Sequence, residues 1–368
     1  MKLAGSNLDR SLVIEKIELL SRTLLQTKME TWNFGESVGF EGLVLASETL
    51  ERPEYEYFLR GWLRGWAARR EPFRRLDTTI PGHAAVKIAL HFEDDFIMAA
   101  LVETAQYLVS RPKLFGIYET WTSSPLLRPY GGMPLSPAHA RLLANPPAGV
   151  FIDCLHFDPP FFAALSNAVQ GKDLMDQAVS QALAYITRLQ DKSGFFWHFA
   201  LEGESENFGP SWGRGQGWAL LGLLDVAQEI EDSKWREEYS GQLDLIRTSA
   251  AKLIEFMLST QQEDGHWAAR VDSAAPTAEA STAAFMYVGM GRAARMGIVN
   301  AASVSGSMLK SLNATVSSID ESGILIPVSA AVMACTEPSH YDRVPTGFMV
   351  PWGQGPALMA LCEAVKYE

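Results

Sequence analysis

Two stretches of the chain repeat each other 138 residues apart: Gly215-Gln216-Gly217-Trp218-Ala219-Leu220-Leu221-Gly222-Leu223 and Gly353-Gln354-Gly355-Pro356-Ala357-Leu358-Met359-Ala360-Leu361. A second echo is a polar turn around a glycine, found at Gln190 to Trp197, Gln262 to Trp267 and Asp320 to Leu325. Repeated segments report repeated architecture. Apolar residues also fall at helical spacing over 8–28, 35–50, 54–69, 81–92, 95–109, 151–169, 172–189, 215–231, 234–260, 278–296, 301–317 and 355–365. That pattern predicts about twelve helices, interrupted by a Pro/Gly-rich insert from Arg111 to Gly149. Each unit pairs a small-residue, almost wholly apolar helix with a more amphipathic one. A helix apolar on every side has to be buried on every side. Six inner helices ringed by six outer ones satisfy that demand, so the expected fold is all-α: an (α/α)6 toroid of six hairpins forming a single domain over residues 1–368. An open α-solenoid should turn polar in its end repeats. The segment from Gly355 to Val365 is instead as apolar as the internal ones, which favours closure.

Charge narrows the partners. Lys plus Arg number 31 against 43 Asp plus Glu, for a net charge of −12. Such a chain repels phosphate backbones and anionic lipid, so neither nucleic acid nor a membrane is expected as a partner. Cys154, Cys335 and Cys362 are too few for a disulfide framework and lack the spacing of structural zinc, so reduced, buried thiols are expected. The opening MKLAGSNLDRSLVIEKIELL is broken by polar residues at helical spacing, and no apolar run is long enough to span a bilayer. Cytoplasmic residence is therefore expected, and no feature specifies an oligomeric state.

In a ring of this kind the inner-helix starts and the loops feeding them converge on one end of a central cavity. Five segments there mix aromatic with polar side chains: Trp32 to Glu36, Leu76 to His83, Phe151 to Asp158, Phe196 to Phe199, and Ser211 to Trp218. Tryptophan faces stack on apolar sugar faces, and an arginine suits a uronate carboxylate. Asp77 and Asp153, from different helix starts, could supply a proton donor and its partner. Both could equally be helix N-caps. Asp158, before Pro159-Pro160, reads as a cap or turn residue, and His198 as either a site residue or a core histidine. Trp62, Trp66, Trp121 and Trp235 read as packing. Asp94-Asp95-Phe96-Ile97-Met98 lacks the third acid of a DDxxD metal motif. The glycines from Gly213 to Gly217 follow no strand, and no G-x-S-x-G elbow is present, which excludes dinucleotide and serine-hydrolase readings.

Taken together these motifs resemble the unsaturated glucuronyl and unsaturated rhamnogalacturonyl hydrolases, glycoside hydrolase families 88 and 105. The family's W-x-D-x-x-x-M-x-x-P-F stretch is similar to Phe151-Ile152-Asp153 running to Pro160-Phe161, and its earlier aspartate to Asp77. Its G-L-F-Y-H stretch resembles Gly194 to His198, and W-G-R-x-N-G-W resembles Trp212 to Trp218. Departures are Gln216 in place of asparagine, Phe157 in place of methionine, and no histidine in Arg128 to Pro134.

The resemblance implies Asp153 and Asp77 as catalytic residues. It implies His198, Trp212, Arg214, Trp218, Trp32 and Gln216 as substrate-binding residues, and no metal or cofactor. The implied substrate is an oligosaccharide left by a polysaccharide lyase, ending in a 4,5-unsaturated uronic acid. Asp153 would protonate C4 of this vinyl ether and then activate water at C5, while Asp77 positions the ring. Two other readings stand beside it: a non-catalytic saccharide-binding toroid, and a sugar epimerase on the same fold using His198 and His266.

Overall fold

The structure is a computed structural model, and it describes residues 8–30, 34–74, 82–273 and 278–367. Among these residues thirteen α-helices follow one another: α1 (Arg10–Gln26), α2 (Glu36–Leu50), α3 (Glu54–Arg69), α4 (Gly82–His91), α5 (Asp95–Ser110), α6 (Pro137–Ala144), α7 (Cys154–Val169), α8 (Lys172–Leu189), α9 (Gly213–Glu231), α10 (Ser240–Thr260), α11 (Ser281–Arg295), α12 (Ala301–Ser317) and α13 (Pro351–Lys366). A short 3-10 helix covers Pro338–Arg343. Around the ring, α2, α4, α7, α9, α11 and α13 each pack on the next, and α13 returns to pack on α2. The other helices apart from α6 lie outside, each against its own inner helix. The toroid is closed, as the apolar last helix predicts. Gly213 to Ala227 and Pro351 to Val365 are buried along their whole lengths.

Four sequence boundaries move, for local reasons. Phe151, read as the first residue of a helix, instead ends strand β3 (Gly149–Phe151), with α7 starting at Cys154, and Ala278–Glu279 form a strand ahead of α11. The chain turns through Lys234 to Tyr239 before α10 begins. Pro351 opens α13 one turn early, since its missing N–H is one that a first helical turn leaves unpaired anyway. Within the insert lie the unforeseen α6 and a hairpin of β1 (Lys113–Leu114) and β2 (Ile117–Tyr118). Three strands form the sheet that matters for the site: β3 (Gly149–Phe151), β4 (Phe199–Leu201) and β5 (Asn207–Phe208), antiparallel throughout. A second pair joins β6 (Trp267–Ala268) to β7 (Ala278–Glu279).

The repeated Gly-Gln-Gly has a structural cause. Gln216 accepts from the Phe196 N–H at 2.7 Å and donates to the Phe196 carbonyl at 2.9 Å. Gln354 accepts from Leu325 N–H at 2.8 Å and donates to the Gly323 carbonyl at 2.7 Å. In both repeats a buried amide at the start of an inner helix clamps the polar turn that precedes it, satisfying backbone groups that would otherwise be buried unpaired.

Other residues resolve as packing or capping. Asp94 caps α5 through Ile97 N–H and holds Arg60 and Arg64 at 2.8 Å each. Burial opposes its charge, but those two guanidinium groups hold its carboxyl below the ordinary range. Asp158, expected in a cap or turn, instead lies inside α7, buried and bonded by Arg111. Pro159 and Pro160 are carried within that same helix. Trp62, Trp66, Trp121 and Trp235 belong to the hydrophobic clusters. Cys154, Cys335 and Cys362 are all buried. Among the described residues, no helix is long and apolar enough to cross a membrane.

Polar groups also meet on the toroid axis. One ionisable side chain from each inner helix joins a connected set of charged contacts there: Glu41, His83, His156, Asp225, Arg292 and Glu363. Burial and Lys87 oppose protonation of His83, yet Asp225, Glu229 and Glu41 raise its pKa to about 9.

Candidate active site

The small sheet sets the site. Register pairs Phe151 with Phe199, and the ladder continues one step as Ile152 N–H donates to the His198 carbonyl at 2.8 Å. The next residue, Asp153, therefore emerges beside His198. Its Oδ2 lies 3.5 Å from His198 Nε2 and has no hydrogen-bond partner. Asp153 occupies the N-cap position of α7, but its side chain makes no capping bond, and the residue is only 4% exposed. Capping, the structural alternative for this aspartate, is therefore not its role. A buried carboxyl without partners costs stability and is retained where chemistry needs it.

His198 is held from behind. Its Nδ1 lies 2.6 Å from the Tyr341 hydroxyl, and its ring packs on Trp212 with centroids 4.4 Å apart. Burial pushes the Tyr341 phenol well above its ordinary pKa, so it stays protonated and can donate. Donation to Nδ1 places the imidazole proton on Nε2, facing Asp153. Gly209 makes the contact possible: it has φ +65°, and a Cβ there would sit 2.6 Å from His198 Cβ. Tyr341 was not foreseen, for it lies 143 residues along the chain from His198 in a segment without helical periodicity. Tyr341→Phe should keep the fold and lower kcat about tenfold, the equivalent of about 1.4 kcal/mol in the transition state, with KM little changed. Unchanged kcat would mean that the phenol does not orient His198.

Arg214 is more enclosed than a carboxylate-binding arginine was expected to be. Its side chain has no exposure; Nη1 donates to Ser329 Oγ at 2.6 Å and Nη2 to the Ala330 carbonyl at 2.9 Å. Nε alone is unpaired. The guanidinium sits over the Trp212 and Trp352 rings, 5.1 and 5.7 Å from their centroids. Complete burial lowers its pKa to about 10, while Glu279 and Asp153 act to raise it. Glu279, 3.8 Å from Nη1, spends its oxygens on Ser281 and on both the N–H and hydroxyl of Thr282, closing the start of α11.

The structure thus brings Asp153, His198, Trp212 and Arg214 together. Two other expected residues have different places. Gln216 is fully committed to the Phe196 and Trp212 backbones, because the amide that suits a sugar hydroxyl equally suits an unpaired peptide. It positions the His198 turn and offers no free group. Trp218 has no exposed surface and packs against His156, Phe157 and Phe285, since its place on α9 turns it toward α7 and α11. It is a wall of the core, not a stacking face. Asp77 and Trp32 lie outside the described residues. His266, the second member of the epimerase pair, bonds Ser318 Oγ at 2.9 Å, whereas His198 is bonded to Tyr341.

Comparison with known proteins gives the family and the fold. The model of Glycosyl Hydrolase Family 88 matches residues 13–368. The chain is 23% identical over 342 residues to the unsaturated rhamnogalacturonyl hydrolase YesR of Bacillus subtilis, covering 91% of this chain and 90% of that protein. Its fold is similar to that of a possible member of family GH105 from Salmonella enterica (TM-score 0.82, 17% identity, 99% of this chain and 96% of the other). It is also similar to an unsaturated glucuronyl hydrolase specific for heparin (TM-score 0.71, 12% identity, 98% of each chain). A closed toroid of six helical hairpins and a family match over nearly the whole chain lead to one assignment: the chain is a glycoside hydrolase and belongs to Glycosyl Hydrolase Family 88.

Proposed function

We propose that the chain removes a 4,5-unsaturated uronic acid from the non-reducing end of oligosaccharides produced by a lyase, acting in the cytoplasm. The observation that carries this reading is the buried, uncapped carboxyl of Asp153, with His198 on one side and the charge of Arg214 nearby. The similarity to YesR, an unsaturated rhamnogalacturonyl hydrolase, supports the substrate class.

In this reading Asp153 delivers its proton to C4 of the vinyl ether. Positive charge then develops at C5, shared with the ring oxygen. The Asp153 carboxylate takes a proton from water as that water bonds to C5, which restores the acid and leaves a hemiketal. Collapse of the hemiketal opens the ring and breaks the bond to the departing sugar, with no glycosyl-enzyme bond formed. One water is consumed for each linkage cut. His198 holds Asp153 in place through the proton on Nε2. Arg214 contributes positive charge and its unpaired Nε toward the C6 carboxylate, while its remaining donors hold it rigidly against Ser329 and Ala330. Asp77 positions and stabilises the polarised ring, Trp32 supplies aromatic surface to the sugar, and Trp212, buried between His198 and Arg214, holds those two side chains in place.

Lyase digests of pectins and glycosaminoglycans, incubated with the protein and followed by conjugated-alkene absorbance, should show decay on at least one digest with release of a shortened oligosaccharide. Persistence of the absorbance on every digest would overturn the reading.

A further inference from the structure

We propose that the axis of the toroid is a binding site for a divalent transition-metal cation of the zinc type, with Glu41 Oε1, His83 Nδ1, His156 Nε2 and Asp225 Oδ2 as its ligands. The site is separate from the chemistry proposed for Asp153 and does not depend on it.

Its geometry is that of a loose cage. His156 Nε2 is 3.3 Å from Glu41 Oε1. His83 Nδ1 is 3.9 Å from that same oxygen and 3.7 Å from Asp225 Oδ2. The ligand atoms of Glu41, His156 and Asp225 all fall within 4.8 Å of one another. A tetrahedral zinc with bonds of about 2.0–2.1 Å separates its ligand atoms by about 3.3–3.4 Å, so the His83 edges close by a few tenths of an ångström and the edges among Glu41, His156 and Asp225, up to 4.8 Å, by as much as about 1.4 Å.

These atoms lack other employment. His83 Nδ1, both ring nitrogens of His156 and Asp225 Oδ2 have no hydrogen-bond partner, although the side chains are 6%, 0% and 8% exposed. So many orphaned polar atoms in one core are costly, and a cation bound by the lone pairs of His83 Nδ1, His156 Nε2 and Asp225 Oδ2 satisfies three of them together, leaving His156 Nδ1 at 3.8 Å from Asp225 Oδ2.

The groups behind the cage are arranged as metal ligands require. His83 Nε2 lies 3.1 Å from Glu229 Oε1, and Asn167 fixes Glu229 in turn at 2.8 Å. A carboxylate that accepts a hydrogen bond from Nε2–H leaves the Nδ1 lone pair facing inward. Arg292 bonds Asp225 Oδ1 at 3.1 Å and leaves Oδ2 to face the cage. Two imidazoles with two carboxylates select borderline cations over magnesium or calcium, which take oxygen ligands. A cavity of about 140 Å³ gives access, running past Glu48 and Lys87 to Glu41 and His83. Once bound, the ion would tie α2, α4, α7 and α9, four consecutive inner helices.

The test uses the full chain after treatment with a chelator, titrated with zinc chloride by calorimetry and with cobalt(II) by visible absorption. One equivalent should bind, cobalt should show the intense bands of a four-coordinate site, and Tm should rise and fall back when chelator is restored. Glu229→Gln should weaken zinc binding about 10- to 100-fold, and His156→Gln and Asp225→Asn should abolish it. The proposal is overturned if the wild-type chain binds no zinc saturably, in which case protons on the histidines serve the carboxylates. It is overturned equally by a weak, six-coordinate cobalt spectrum, or by undiminished stoichiometry in both His156→Gln and Asp225→Asn, which would move the ion to surface groups. Should those two variants fail to fold, the wild-type cobalt spectrum and the Glu229→Gln affinity decide the matter.

Discussion

Asp153→Asn lowers turnover of an unsaturated disaccharide by about 10³- to 10⁴-fold and leaves the unfolding midpoint nearly unchanged. General acid–base groups contribute about 10²–10⁴ to rate, and the upper part of that range is expected because one carboxyl both donates the proton and activates the water. Stability should hold because the carboxyl neither caps α7 nor accepts a hydrogen bond through Oδ2, so the amide alters only the 3.5 Å contact with His198 Nε2. Replacing a buried acid whose one close charged neighbour is 3.5 Å away with a neutral isostere costs little. The alkene absorbance and a denaturant titration read the two effects separately. Activity above about one-tenth of wild type, against the range expected for an essential acid, removes Asp153 from the central role.

Gly355→Ala is expected to destabilise the chain by about 3 kcal/mol or more, at the upper end of the cost of overpacking. A Cβ at Gly355 would lie 2.6 Å from both the carbonyl carbon and oxygen of Val38 and 2.7 Å from Gly39 N. These are backbone atoms of α2, so no side chain can swing aside. Gly42 faces the same seam from the other helix, where a Cβ would meet the Gly355 carbonyl oxygen at 2.9 Å. The seam is the place where α13 closes the ring onto α2. Gly306 on α12 is the control: a Cβ there meets nothing within 4 Å, and Gly306→Ala should stabilise by about 0.5–1 kcal/mol. In an open solenoid the two substitutions would behave alike, so comparing their denaturant midpoints tests closure itself.

Much of the ring is legible before any coordinates. Helices 54–69, 172–189 and 301–317 are read to the residue, because periodicity and flanking turn chemistry agree at both ends. The Gly-Gln-Gly echo marks two inner-helix starts, although its purpose, clamping Phe196 and Leu325, depends on contacts that spacing does not express. Strands of two or three residues carry too little alternation to detect, and β3 to β5 are of that length. Those strands nevertheless set Asp153 beside His198. Trp218 shows a different limit: a motif residue on an inner helix looks the same whether it faces the cavity or a neighbouring helix. The axial groups stand in mostly apolar helices that bury other ionisable residues too, Glu36, Asp158 and Arg214 among them, so each one alone resembles noise. Their signal is collective, one such residue on every inner helix.

The most direct test of the account uses two substrates with the same departing sugar, one ending in the 4,5-unsaturated uronic acid and the other in its saturated counterpart. If cleavage proceeds by protonation at C4 and hydration at C5, the wild-type chain releases the sugar from the unsaturated substrate, in step with loss of alkene absorbance, and leaves the saturated one intact. Comparable release from both, or release with the alkene preserved, would contradict it.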